Sequence, residues 1–255
     1  MVNKIILLLI LLVIIFLWQT KLGSINYSQT AVTIVPTVVV TSKKLPLVTF
    51  LDRQYAYDLI RTDDISKLSL IINDNFESGN ILSEKYSCRE AINGGFYGTD
   101  MNPLGLLIAD GDIKSKITKS SLLNGFLLVN TSAEATISYQ PENNSPRIAL
   151  QSGPMIFYQG EKLNLSIKND KFSRRMVAFQ TETGVLYFLT LINPESELSG
   201  PRLNDLPSIL ETISTLEGFV IENAINLDGG SASFFKSNRS VLKELNPIGS
   251  LFCIR

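Results

Sequence analysis

The chain has 255 residues, 45% apolar side chains and a formal charge of −1 from 23 basic and 24 acidic groups. This describes a folded chain of one large domain or two small ones and excludes the basic footprint of a nucleic-acid-binding protein. Histidine is absent, which removes Ser-His-Asp triads, Cys-His pairs and histidine-ligated zinc. Acid–base chemistry then falls to a carboxylate or, less commonly, to Tyr, Lys or Cys.

In chain order, the first feature is an unbroken apolar run from Ile5 to Trp18, between Lys4 and Lys21. As a helix it would be roughly 21 Å long at about 1.5 Å per residue, short of the ~30 Å hydrocarbon core. Length favours a signal-peptide core, whereas the lack of a small-x-small cleavage site favours a short uncleaved anchor over residues 1–23. The expectation is an anchor holding the chain at the extracytoplasmic face of a membrane, or a secreted protein if the segment is cleaved. Residues 24–45, rich in Thr, Val and Ser and broken by Pro36, read as a stalk or edge strand, and residues 46–255 as one domain. In an oxidising compartment Cys88 and Cys253 form a disulfide or remain two buried thiols; the sequence leaves both open.

From Leu47 onward short β-runs alternate with turn residues: Leu47–Leu51, Leu104–Ala109, Phe126–Val129, Ala135–Tyr139, Met155–Tyr158, Met176–Gln180 and Val185–Leu191. Asp110-Gly111 and Thr183-Gly184 suit hairpins, since glycine tolerates the positive φ these turns need. Leu206, Ile209, Leu210, Ile213 and Leu216 follow helical spacing, with Asn204 or Asp205 as N-cap and Gly218 as the stop. A weaker helix is expected over about Ser78 to Ser87. The predicted fold class is α+β, a mainly antiparallel or mixed sheet with one or two helices packed on it in a single domain.

Four segments place glycine and small polar residues beside apolar strands. In Ala91-Ile92-Asn93-Gly94-Gly95-Phe96 the glycines admit a ligand or a sharp turn, and Asn93 offers a donor and an acceptor. Gln151-Ser152-Gly153-Pro154 reads as a hydrogen-bonding turn rather than a serine nucleophile, for want of a base. Arg174 and Arg175 open an apolar strand and point to opposite faces, so one can face a cleft and grip phosphate with its planar fork. In Asn226-Leu227-Asp228-Gly229-Gly230-Ser231 an apolar strand ends at Asp228, which puts a carboxylate beside backbone N–H groups able to form an anion nest.

The ordered set AINGGFY, PLGLLIADG, QSGPM, SRRMVAF and NAINLDGGSAS, spanning roughly Cys88 to Cys253, resembles the phosphodiester glycosidase family, most closely its short bacterial branch. The family's Asn-Gly motif falls on Asn93-Gly94, its Gly-Pro turn on Gly153-Pro154, its motif arginine on Arg174 and its Leu-Asp-Gly-Gly motif on Leu227–Gly230. Ser231-Ala232-Ser233 and Ala178 depart from the family pattern.

The resemblance implies hydrolysis of the bond between a sugar anomeric carbon and a phosphodiester oxygen in a phosphorylated glycan. On this reading Asp228, Arg174 and Asn93 carry the chemistry, and Asp100 is the candidate second carboxylate. Gly94, Gly95, Ser152, Gly153, Arg175, Asn226, Gly229, Gly230 and Ser231 hold the substrate. No metal-ligand spacing is evident and the cofactor requirement is unknown. A phosphodiesterase using the same site, or a non-catalytic module that binds phosphoglycans, are the alternatives.

Overall fold

The computed structural model describes residues 44–141 and 146–255. The expected anchor, and all of the expected stalk but Lys44 and Leu45, lie outside the described residues. Among the described residues no helix is long and apolar enough to cross a membrane.

Among the described residues, seventeen strands form three sheets in which each registered pair is antiparallel. The largest sheet contains, in spatial order, β1 (Leu47–Phe50), β2 (Arg53–Thr62), β13 (Leu186–Ile192), β12 (Arg175–Thr181), β14 (Ile221–Asn226), β10 (Met155–Tyr158) and β11 (Glu161–Lys162). A second sheet orders β16 (Val241–Leu242), β15 (Phe235–Lys236), β4 (Glu90–Asn93), β17 (Ser250–Ile254) and β3 (Leu68–Ile72). The third orders β6 (Asp112–Ser115), β5 (Leu107–Ala109), β9 (Ile148–Ser152), β7 (Gly125–Val129) and β8 (Ala135–Ser138). Two α-helices complete the domain, α1 (Gly79–Lys85) and α2 (Leu206–Glu217). The observed class is the α+β one expected.

Side-chain alternation builds the layers. Along β12, Met176 and Ala178 join the central core with residues of the other two sheets, while Val177 and Phe179 point the other way. That outer face is covered by Leu206, Ile209, Leu210 and Ile213 of α2. The large sheet is thus packed on both faces, which is why its strands read as nearly continuous apolar runs. Helix α1 lies on the second sheet, where Leu82 packs with Phe234, Leu251 and both cysteines. Cys88 and Cys253 are joined by a disulfide, closing a sequence separation of 165 residues.

The turns follow the sequence reading. Asp110 and Gly111 both have positive φ (50° and 84°), and Gly184 (80°) turns β12 into β13. Gly218 ends α2 in the left-handed conformation, and the Ser78 side chain caps α1 by accepting from the Ile81 N–H.

Three differences have local causes. The run expected from Leu104 enters the ladder only at Leu107, because Gly105 adopts φ 97° and the Leu104 N–H is held by the Phe96 carbonyl. Strand β2, ten residues long, was not among the expected runs. It is apolar on both faces and carries an internal aspartate, Asp58, buried and satisfied by the Ser237 and Ser240 hydroxyls. Neither Asn204 nor Asp205 caps α2 with its side chain. A 3-10 turn, Leu203–Asp205, precedes the helix, and Asp170 accepts from the Leu203 and Asn204 N–H groups across 33 and 34 residues.

The disulfide ties the last strand to the end of α1, so its removal should be felt globally. A Cys88→Ala/Cys253→Ala protein is expected to lose about 4 kcal/mol by urea unfolding, the scale for closing a loop of on the order of a hundred residues or more.

Candidate active site

The three glycine-bearing segments and the Arg174-Arg175 segment meet where the three sheets converge. Strand β14 leaves the ladder at Asn226, two residues before Asp228, and the chain continues as a turn that the other sheets hold. The Leu227 N–H donates to the Met176 carbonyl, and the Asp228 N–H to the Gly94 carbonyl at 3.2 Å. The Asn93 carboxamide closes the turn from the other side. Its Nδ2 donates to the Asp228 carbonyl (2.7 Å), and its Oδ1 accepts from the Phe234 N–H (2.9 Å). Gly229 packs so closely on strand β12 that a Cβ there would lie 2.7 Å from the Arg174 carbonyl. A Cβ on Gly94 would meet the Ser250 hydroxyl at 2.3 Å. Gly229 is required for the close approach of two backbones and Gly94 for the close approach of the Ser250 side chain, neither of them for a positive φ.

The turn opens into a cleft of about 320 Å³ lined by Asp228, Gly229, Gly230, Asn226 and Gly153 together with Asp170, Lys171, Ser173 and Arg175. Phe96, Leu122, Ile167 and Leu203 form its apolar edge. A cavity of 380 Å³ beside Asp52, Arg53, Phe172 and Glu195 is larger, but none of the four segments reaches it.

Asp228 is partly open to the cleft and otherwise surrounded by protein. Burial pushes its carboxyl up to about 7, with the Gly229 N–H pulling weakly the other way. This is the range in which a carboxylate exchanges protons with substrate or water at neutral pH. Asn226 is buried, and its Nδ2 donates to the Gly153 carbonyl (2.9 Å). Its Oδ1 has no partner among the described residues and is itself shielded from solvent.

Several expected roles are redistributed. Arg174 is buried with its fork turned away from the cleft. Its Nη1 donates to the Lys243 carbonyl (2.6 Å) and, more weakly, to that of Ser233, while Nε donates to the Glu197 carbonyl. It fastens loops to the start of β12. Arg175, one residue on and therefore on the opposite face, is the arginine that reaches the cleft. Its Nε donates to the Pro201 carbonyl and its Nη2 to Asp170 and the Lys171 carbonyl, leaving Nη1 without a partner among the described residues.

Asn93 uses both ends of its amide on main chain and positions Asp228 rather than a ligand. Gly95 is spent on packing, where a Cβ would lie 2.8 Å from Leu150. The Ser152 hydroxyl is wholly buried and donates to the Asn226 carbonyl, which bars it from nucleophilic work. Gln151 satisfies its whole amide on the main chain of Leu106, Thr118 and Leu123. The anticipated nest is partly spent, since the Gly230 N–H donates to the Arg174 carbonyl. Ser231 faces Asn246, outside the cleft.

Asp100 is exposed and folded onto Asn102, which holds its carboxyl below the ordinary range. The second carboxylate of the cleft is Asp170, which sequence reasoning missed. Its only signal was an Asn-Asp pair five residues before Arg175, and its function depends on Leu203 and Asn204, more than thirty residues away. Among the described residues no group of three or more Cys, Asp or Glu side chains could hold a metal ion.

Known proteins were compared with this site and fold. The family model described as phosphodiester glycosidase matches residues 86–254, a stretch that contains every residue lining the cleft. Among solved structures, the chain is similar to the catalytic domain of zebrafish N-acetylglucosamine-1-phosphodiester alpha-N-acetylglucosaminidase, auto-inhibited by its pro-peptide. The TM-score is 0.65 at 16% identity, over 83% of this chain and 81% of that one. A hypothetical protein from Synechocystis is similar with TM-score 0.65 and 12% identity, over 83% of this chain and 61% of that one. No curated protein sequence matches.

The two arginines separate in a paired measurement. Arg174→Lys should lower stability by about 2–3 kcal/mol in urea unfolding, because an ammonium cannot span the carbonyls the fork joins. Arg175→Lys should instead weaken binding of an anionic diester about tenfold or more in a ligand titration. An Arg174→Lys protein of unchanged stability but weakened binding would restore Arg174 to the cleft.

Proposed function

Because the chain belongs to the phosphodiester glycosidase family, we propose that it is an extracytoplasmic hydrolase that cleaves the glycosidic bond of a sugar-1-phosphodiester. The observation that carries this reading is Asp228, a carboxyl raised to about 7 in a cleft that Arg175 and Lys171 also line. The Cys88–Cys253 disulfide and the apolar run Ile5–Trp18 support the extracytoplasmic placement.

In this mechanism Arg175 Nη1 and the Lys171 ammonium hold the phosphodiester. Ionised Asp228 takes a proton from water as the water oxygen bonds to the anomeric carbon. The bond from that carbon to the phosphate oxygen breaks, and its electron pair leaves with the phosphomonoester. The leaving group is a weak base and needs little protonation, so one positioned carboxylate with electrostatic stabilisation suffices. Asp170 keeps the arginine in place and does not act on the sugar, since both of its oxygens are engaged.

The products decide the bond. A nitrophenyl diester of a 1-phosphosugar should yield free sugar and a phosphomonoester; sugar-1-phosphate and nitrophenol would reassign the enzyme as a phosphodiesterase. The rate constant kcat/KM should fall about tenfold per pH unit below about 7, as Asp228 becomes protonated in the free enzyme.

The same shift sets a stability trend. The folded pKa lies above the ordinary value of 3.8, so the fold favours the proton-bound form. Stability from this group is complete below pH 3.8 and is lost as pH rises through about 7. Asp228→Asn should therefore unfold like the parent near pH 4, and at pH 8 be more stable by at most about 4 kcal/mol, at about 1.4 kcal/mol per pH unit. Turnover should drop at least ~100-fold. Equal stability of the two proteins at pH 8 would remove the buried charge from the account.

A further inference from the structure

Two segments that reach the cleft carry exposed groups beyond those the proposed catalysis uses. Leu122 lines the cleft, and its carbonyl packs against Gly153. Lys116, Ile117 and Lys119, on the stretch that leads to it, are exposed, with Ile117 56% and Leu122 43% accessible. Ile167 lines the cleft as well, and the exposed Lys168 follows it, three residues before the phosphate-holding Lys171. The segment from Lys116 to Leu122 contains no acidic residue. Its shape is fixed from beneath. Gln151 Oε1 accepts from the Thr118 N–H, Gln151 Nε2 donates to the Thr118 and Leu123 carbonyls, and the Ser120 hydroxyl accepts from Leu122 and Leu123 N–H groups. A stretch with apolar tips and lysines, held in one shape though fully exposed, has little reason to be ordered for its own sake.

We propose that these two segments dock the cleft onto an anionic membrane surface, so that the phosphodiester presented to Asp228 carries a lipid aglycone. The lysines match anionic headgroups, and Ile117 and Leu122 gain by entering the interface beside them. A soluble polyanionic glycan would use the lysines but would leave both apolar tips in water, which is why a membrane fits better. The docking stands on the two segments alone; the lipid aglycone rests on the glycosidase reading above.

The test uses the full chain in nanodiscs of phosphatidylcholine with or without phosphatidylglycerol, read by hydrogen exchange in peptides covering residues 116–122 and 167–171. Anionic discs should slow exchange in both peptides relative to neutral discs. Lys116→Glu/Lys119→Glu should abolish the difference, with an effect on docking of about thirtyfold, since each lysine contributes about fivefold. Both side chains are exposed, so the variant should retain its thermal midpoint and its turnover of a water-soluble nitrophenyl diester. Equal exchange in the two kinds of disc overturns the proposal. So does protection by soluble inorganic polyphosphate that anionic lipid fails to give. Protection by anionic lipid without cleavage of any sugar-1-phosphodiester sustains the docking and sinks the glycosidase reading. Cleavage of soluble diesters without protection does the reverse. Where both hold, a polyprenyl phosphodiester of the sugar should be cleaved faster in anionic discs than in neutral ones, and no preference would overturn the lipid aglycone.

Discussion

The site depends on one side chain whose chemistry is entirely internal. The Asn93 carboxamide, at the end of β4, joins the Asp228 carbonyl to the Phe234 N–H and so spans the glycine turn between β14 and β15. A carboxamide donates at one end and accepts at the other, and here both partners are main-chain groups withdrawn from water. Leaving either unpaired would cost about 1–3 kcal/mol. An aspartate could serve the Phe234 N–H but would set a carboxylate against a carbonyl, and a leucine of similar size would orphan both.

Once that clamp is in place, the rest of the turn is constrained by how close the backbones lie. Gly229 has the backbone at the start of strand β12 immediately behind it and Gly94 has the Ser250 side chain, so the Asp228 peptide is fixed from two sheets. Its carboxylate can then project only into the cleft. The surroundings that fix it also exclude much of the water that would solvate its charge, and this is the physical origin of its raised pKa. Rigid positioning and electrostatic perturbation are here two consequences of one packing arrangement.

Much of this was legible in the sequence, because local rules and tertiary demands agree there. The period-2 runs of β12 and β13, the Asp110-Gly111 and Gly184 turns, and Gly218 at the end of α2 each follow from a backbone preference that packing only reinforces. The glycine motifs were correctly located but partly misassigned in role. Alternation along a strand says that Arg174 and Arg175 diverge; it does not say which face becomes the cleft. That is decided by where the chain near Lys243 and Glu197 returns, since its carbonyls receive Arg174. Asp170 was invisible for the same reason, as its partners Leu203 and Asn204 are brought to it by the fold alone. Asp58 hid β2 because a buried aspartate looks like a strand breaker until two serines from a distant loop satisfy it.

The buried polar groups divide by where their partners come from. Asp170, Gln151, Asn93 and Asp58 draw their partners from remote segments, whereas the Thr62, Thr190, Ser233 and Ser250 hydroxyls and the Asn226 Oδ1 have none among the described residues and are shielded from solvent. Asp228 belongs to neither group, because its carboxyl is largely desolvated and yet lines the cleft. Its ionised form costs stability in the free protein, and a fold that can satisfy Gln151 four times has the means to avoid that cost. A water that gives up its proton to this carboxylate makes use of the raised proton affinity, whereas an empty structural turn has no use for it. The Asp228 carboxyl is therefore better understood as the protein half of an interaction that the substrate completes.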